Sequence, residues 1–348
     1  MQIDPTLAKD LKKADLRYVS DSSQGITRKR QNDSFIYFDP QGDRITSEQV
    51  LERIKALSIP PAWSDVWICP SPTGYLQATG IDDKKRKQYI YHEDWKKLSQ
   101  ENKFSKMLDF GELLPKIRKR VSEDMSGEEL ERDKIIATVI WLLGETMIRI
   151  GNEEYAKENN SFGLTTLRNK HVKIRGKQVT FEFVGKSGIQ HTVKISHPRI
   201  VKIIKEIFEL PGYELFQYLN DSDERQTVDS SDINQYLQEL TGEDITAKDF
   251  RTWGATTRSA IELYTIGPSE TAEQAKENIT KVVKKVAKHL RNTAKVCRSY
   301  YIHPAILKSY EKNTLIPHFE EAYKKYNRET HKLTKDEFAT LSLLQKFG

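Results

Sequence analysis

The chain has 348 residues, more than one hydrophobic core usually organises, so two domains are expected, each able to bury an interior without disulfide staples. Lysine and arginine outnumber aspartate and glutamate by 56 to 50, a net charge of +6 that leans only slightly toward polyanionic partners and leaves the decision to where the cations cluster. Cys69 and Cys297 are the two cysteines, without metal-ligand spacing, and there is neither an apolar leader nor a run of about eighteen apolar residues, so the chain reads as a reduced, cytoplasmic protein without structural zinc, disulfide or membrane span.

Residues 16–95 combine short alternating segments such as DSFIYFD with the loop punctuation of SIPPAW and CPSPTGY, the marks of a small strand-rich domain. Within it, SEQVLERIKAL sets Val50, Leu51, Ile54 and Leu57 on one helical face, with Ser47 as its cap. GITRKRQ near residue 28 adds positive charge, and so does DDKKRKQYIYH, which carries Lys84, Lys85, Arg86 and Lys87 ahead of Tyr89 and Tyr91. A lysine run is most often a solvated face, although cations followed by alternating aromatics also suit a duplex backbone. From Trp95 onward the pattern turns to long helical segments, which divides the chain into 1–95 and 96–348.

IIATVIWLLGETMIRIG is apolar almost all round and predicts a helix buried at the centre of the second domain, ending at Gly151. Arg149, in its last turn, reads either as an ion-pair partner of Glu145 or as a fixed, bidentate donor to a phosphate. HVKIRGKQVTFEFVGKSGIQHTVKI alternates in runs split by glycine-containing turns, a β-meander. Its hairpin tip carries Lys186, which is ordinarily just a solvated lysine; beside arginines in a groove it becomes a general acid for a leaving alkoxide. ITAKDFRTWGATTRSAIELY opens a helix with Thr246 and Asp249 as a capping box and puts Lys248 and Arg251 in its first turns, where free amides favour an anion. A single arginine there is more often an exposed rim salt bridge. TAEQAKENITKVVKKVAKHL places Ile279, Val282, Val283, Val286, Ala287 and Leu290 on a core face, with Lys281, Lys284, Lys285 and Lys288 elsewhere. In KHLRNTAKVCRSYYIHP, Tyr300 and Tyr301 follow a cationic run at a break between two helices, and each is either a packing aromatic or a nucleophile. The fold class is α+β, a strand-rich first domain and a mainly α-helical second with one small antiparallel sheet.

Taken together, these segments resemble type IB DNA topoisomerases in their compact poxvirus and bacterial form, over nearly the whole chain. IRIGNEEYAKENNSFGLTTLRNKHV looks like the stretch that opens with the family's first catalytic arginine and runs into Gly-Leu-x-Thr-Leu-x-Asn-Lys-His. FVGKSG is similar to its lysine hairpin, KDFRTWG to its second arginine, NTAKVCRSYYIHP to its nucleophile segment, and IPPAW with KQYIYH to the bacterial N-terminal domain. The resemblance implies that Arg149 and Arg251 meet the transition-state charge, that Lys186 protonates the leaving oxygen, and that Tyr301 attacks. The count from Asn292 selects Tyr301 and leaves Tyr300 in the place of a packing residue. Asn292 stands where many members have histidine; it donates a hydrogen bond but has no proton to exchange.

Also implied are DNA contacts at Arg86, Lys87, Tyr89, Tyr91, Tyr155, Lys157, Arg168, Lys170 and Lys248. The family further implies a DNA-clamping domain 1–95 and a catalytic domain 96–348, closing as a C-shaped clamp on double-stranded DNA and acting as a nucleoid-associated monomer. Supercoils would relax through a 3′-phosphotyrosyl intermediate without ATP, metal or other cofactor. Asn152 replaces a lysine of the poxviral enzyme and Lys85 a glycine common in bacterial members, so cleavage-site preference does not carry over. A tyrosine recombinase typically has His-x-x-Arg where this chain has KDFR, together with a helical domain in front. A non-catalytic DNA binder sits poorly with chemically competent residues at all the catalytic positions.

Overall fold

The N-terminal segments build a five-stranded antiparallel sheet in the order β2-β1-β3-β4-β5. Its strands are β1 (Ile26–Gln31), β2 (Ser34–Phe38), β3 (Ser64–Ile68), β4 (Leu76–Ile81) and β5 (Lys87–Tyr91), accompanied by helices α1 (Pro5–Lys13) and α2 (Glu48–Ala56). The computed structural model describes residues 5–348 apart from 33, 84, 221 and 223. Ile54 of α2 is buried with Ile26, Val66, Ile68 and Ala78 of the sheet, with Val50 and Leu57 packed alongside. Ser47 occupies the N-cap position of α2 without a side-chain cap bond. Arg28 serves structure: its Nη2 donates to the carbonyls of Pro60 at 2.7 Å and Trp63 at 2.8 Å, fastening the IPPAW loop to the sheet.

The chain divides into two units, Met1–Lys103 and Phe104–Gly348, and the division falls inside α3 (Glu93–Asp124) rather than at residue 95. The reason is which core the helix feeds. From Phe104 onward its buried residues, Met107, Phe110, Leu114 and Ile117 among them, join the interior of the second unit.

That unit continues with α4 (Arg132–Thr146), α5 (Glu153–Asn159), β6 (Val172–Arg175), β7 (Gln178–Gly185), β8 (Ile189–Ile195) and α6 (Pro198–Glu209). A short pair, β9 (Gln217–Leu219) and β10 (Arg225–Thr227), precedes α7 (Ser230–Thr241), α8 (Ala247–Ile266), α9 (Ala272–Leu290) and α10 (Ala294–Tyr300). The chain closes with α11 (Pro304–Glu311), α12 (Leu315–Lys325), α13 (Arg328–His331) and α14 (Lys335–Phe347). Strands β6, β7 and β8 form the expected antiparallel meander. In α9 all six apolar positions of the core face are buried, while the four lysines between them are exposed.

Helix α4 stops before its apolar run does. Thr146 Oγ1 donates to the Leu142 carbonyl at 2.6 Å and accepts from the Ile148 amide at 3.2 Å, and Met147 turns left-handed at φ 53°. Arg149 therefore lies beyond the helix, on an extended segment, and not in its last turn. That segment is clasped by the SFGLTTL run: the Leu164 amide donates to the Arg149 carbonyl at 2.9 Å and the Thr165 amide to Ile150 at 2.7 Å. A Cβ at Gly163 would sit 2.5 Å from the Gly151 nitrogen, so only glycine permits this approach.

Candidate active site

Tyr301 caps α10, where its amide donates to the Cys297 carbonyl at 3.0 Å. Thr256 of α8 fixes the turn that follows, its Oγ1 donating to the Tyr301 carbonyl at 3.0 Å and accepting from the His303 amide at 3.0 Å. His303 then caps α11 through Nδ1, with Pro304 in the first turn, which is the physical content of the YIHP motif. The Arg251 guanidinium carbon lies 5.3 Å from the Tyr301 ring centroid. Tyr300, by contrast, is 49% exposed.

Arg251 is buried, with 4% of its surface exposed, and is not the exposed rim arginine that its helix position favoured. Its Nη1 donates to the carbonyl of Met147 and its Nη2 to that of Leu290 at 3.0 Å. Arg149 donates from Nη2 to Asn292 Oδ1 at 2.5 Å. This leaves the Asn292 amide nitrogen, which is buried and without a fully formed hydrogen bond, within reach of the Tyr301 side chain.

A cleft of about 300 Å³ collects Arg149, Lys186, Lys248, Arg251, Tyr155 and Tyr301 from separate elements. Lys186 enters it from the turn between β7 and β8, where Ser187 and Gly188 both have positive φ. Burial raises the Tyr301 phenol, but the charges of Arg251 and Arg149 and hydrogen bonding from Arg251 and Asn292 outweigh it and hold the phenol below its ordinary value. Cys297 beneath is driven the other way, up to about 11, by burial that Arg251 only partly opposes, so it stays a thiol. His191 on β8 is brought down to about 4 by burial and by Arg291, Arg149 and Arg251, and is neutral at physiological pH.

The expected DNA contacts are dispersed. Arg86 donates from Nε at 2.9 Å and from Nη2 at 2.6 Å to one oxygen of Asp82, and Lys87 pairs with Asp21 at 2.5 Å, so these two cations are engaged within the first unit. Tyr89 is exposed and stacks on Tyr91 at 6.1 Å, while Lys84 lies outside the described residues. Lys157 pairs with Glu153 at 2.7 Å, and with Arg168 it lines a neighbouring groove of about 490 Å³ that also holds Glu154, Glu214 and Asp229. Arg168 and Lys170 lie 5.4 and 5.9 Å from the Phe162 ring centroid. Thr256, and the carbonyls of Met147 and Leu290, are site components that the sequence reading missed. Among the described residues no cluster of three or more His, Cys, Asp or Glu stands ready for a metal ion, and no helix is long and apolar enough to cross a membrane.

One unit carries the five-stranded sheet, and the other, mainly helical, sets a tyrosine beside two arginines and a lysine in one cleft. The family described as the catalytic core of eukaryotic DNA topoisomerase I matches residues 92–330, and the N-terminal domain of bacterial DNA topoisomerase IB matches 34–82. The chain is 34% identical over 303 residues to DNA topoisomerase 1B of Acanthamoeba polyphaga mimivirus, covering 83% of this chain and 88% of the relative. It is 26% identical over 281 residues to DNA topoisomerase 1B of vaccinia virus, covering 78% and 84% respectively. The chain belongs to the type IB DNA topoisomerases, which are isomerases acting on DNA.

Proposed function

We propose that this protein relaxes supercoiled duplex DNA by transient cleavage of one strand. The Tyr301 oxygen attacks a backbone phosphorus, a 3′-phosphotyrosyl bond forms, and the bond to the 5′-oxygen breaks with release of a hydroxyl. Rotation of the free end unloads supercoils. Attack of the same hydroxyl on the phosphotyrosine then restores the strand and frees the phenol. One phosphodiester is exchanged for another, so the reaction needs no ATP to drive it. The charge that gathers on the nonbridging oxygens meets Arg149 and Arg251, with the Asn292 amide as an uncharged donor, which supports a metal-independent reaction. Lys186 supplies the proton to the departing 5′-oxygen. Tyr155 and Lys248 hold the strand at the cleft, and Arg86, Lys87, Tyr89, Tyr91, Lys157, Arg168 and Lys170 bind further along the duplex. The protein acts as a monomer.

The observation that carries this reading is the gathering of Arg149, Lys186 and Arg251 around Tyr301 in one cleft, with the Arg251 guanidinium carbon 5.3 Å from the Tyr301 ring centroid. The test is supercoiled plasmid incubated in EDTA without ATP. A ladder of topoisomers and a covalent adduct on Tyr301 are expected, with Tyr301→Phe inactive yet DNA-binding and Tyr300→Phe active. Activity in Tyr301→Phe together with loss in Tyr300→Phe would overturn the assignment.

A further inference from the structure

Helices α4 and α9 end alike. Met147 (φ 53°, ψ 23°) and Arg291 (φ 55°, ψ 49°) are their C-caps, both left-handed and neither of them glycine. A side-chain-bearing residue pays a conformational penalty there that glycine avoids. Both ends also point at the same group: the Met147 carbonyl accepts from Arg251 Nη1 and the Leu290 carbonyl from Arg251 Nη2 at 3.0 Å. Just beyond each cap comes the next member of the site, Arg149 after Met147 and Asn292 after Arg291, and these two bind each other at 2.5 Å.

Helix C-termini carry partial negative charge, so the arrangement offsets burial of the guanidinium and its repulsion by Arg149. Carbonyls differ from carboxylates in one respect that matters for catalysis. They orient a cation without cancelling its charge, leaving its field available to a phosphate.

We propose that Met147 and Arg291 are positioning residues for strand cleavage, their left-handed backbones aiming two helix ends at Arg251 and setting Arg149 beside Asn292. The proposal rests on the functional reading above and adds to it a backbone device that no side chain of the cleft supplies.

The Arg291 side chain is exposed, so glycine, alanine and valine there remove the same cation and differ in their tolerance of the left-handed conformation. Single-turnover cleavage and equilibrium binding are measured on one duplex, below the melting transition of every variant. The expected order of rates is Arg291→Gly above Arg291→Ala above Arg291→Val, with valine at least about tenfold slower than glycine. Affinity should be equal across the three, and Met147→Gly should likewise outpace Met147→Val. Should a valine variant fail to fold, the glycine and alanine pair reads the same difference at smaller amplitude. Equal cleavage rates in folded variants would overturn the proposal, because a purely structural turn changes melting temperature alone. Absence of a Tyr301 adduct in the unsubstituted protein would instead overturn the functional reading, and the positioning role with it.

Discussion

Arg251 and Arg149 both face Tyr301, yet one is buried between carbonyls and the other is half-buried against an amide. Neither is held by a carboxylate among the described residues, so under the proposed function both keep their field for a phosphate. Alanine at either is expected to slow single-turnover cleavage on the order of 10²-fold, as loss of one oxyanion donor does elsewhere, with little change in plasmid affinity. In Arg251→Ala the phenol loses the largest of the influences that lower it. Its pKa rises, and the acid limb of the cleavage profile moves to higher pH. Lys186 calls for a different probe. If it protonates the departing 5′-oxygen, a duplex with 5′-bridging sulfur should rescue Lys186→Ala, since a thiolate leaves without a proton, and should not rescue Arg251→Ala to the same degree. Equal slowing of Lys186→Ala on both substrates would reduce Lys186 to one more phosphate contact.

At the scale of elements, what could be read in the sequence depended on whether local periodicity set the outcome. The burial of α9 and the β6 to β8 meander followed from spacing, because each presents one apolar face to one core. The stop of α4 did not, since a threonine hydroxyl and a left-handed methionine end it with no glycine or proline to announce the turn. The residues assigned to the site came from family resemblance, and four of them, Arg149, Lys186, Arg251 and Tyr301, line one cleft. The way they are held was not legible, because the partners of Arg251 are backbone carbonyls from helices far apart in sequence. Gly163 tests the clasp around Arg149. Gly163→Ala forces a Cβ against rigid backbone and is expected to cost about 1–3 kcal/mol in urea unfolding and to slow cleavage. Gly144→Ala, whose Cβ would meet Phe250 at an ordinary 3.7 Å, should do neither. Comparable losses in the two variants would show that the close approach at Gly163 has no special part.

Across the catalytic unit, the C-terminal helices belong to the core, with Tyr310, Phe319, Leu343 and Leu344 all buried. Glu337 on α14 ties that region to α3 and α8, accepting from Arg118 at 2.7 Å through both carboxylate oxygens and from Trp253 Nε1 at 3.3 Å. Burial raises its carboxyl, but hydrogen bonding and charge from Arg118, with help from Thr334 and Trp253, bring the balance below the ordinary carboxylate range. A depressed folded pKa contributes stability above the unfolded value and loses it as pH falls through the folded one. Glu337→Gln is therefore expected to be about 1–3 kcal/mol less stable at neutral pH, with the gap to the unsubstituted protein closing in acid. Chemical denaturation at the two pH values checks this, and a gap that persists unchanged in acid would remove the carboxylate from the account.

Asn292 has one further consequence for the molecule as a whole. With its oxygen tied to Arg149 and an amide that cannot ionise, it adds no charge that depends on the surroundings, and nearby His191 stays neutral down to about pH 4. Under the proposed function, an imidazole in the place of Asn292 would turn modest acidification of the cell into a change of charge beside the reacting phosphate. With an amide there, this position stays silent through such a stress.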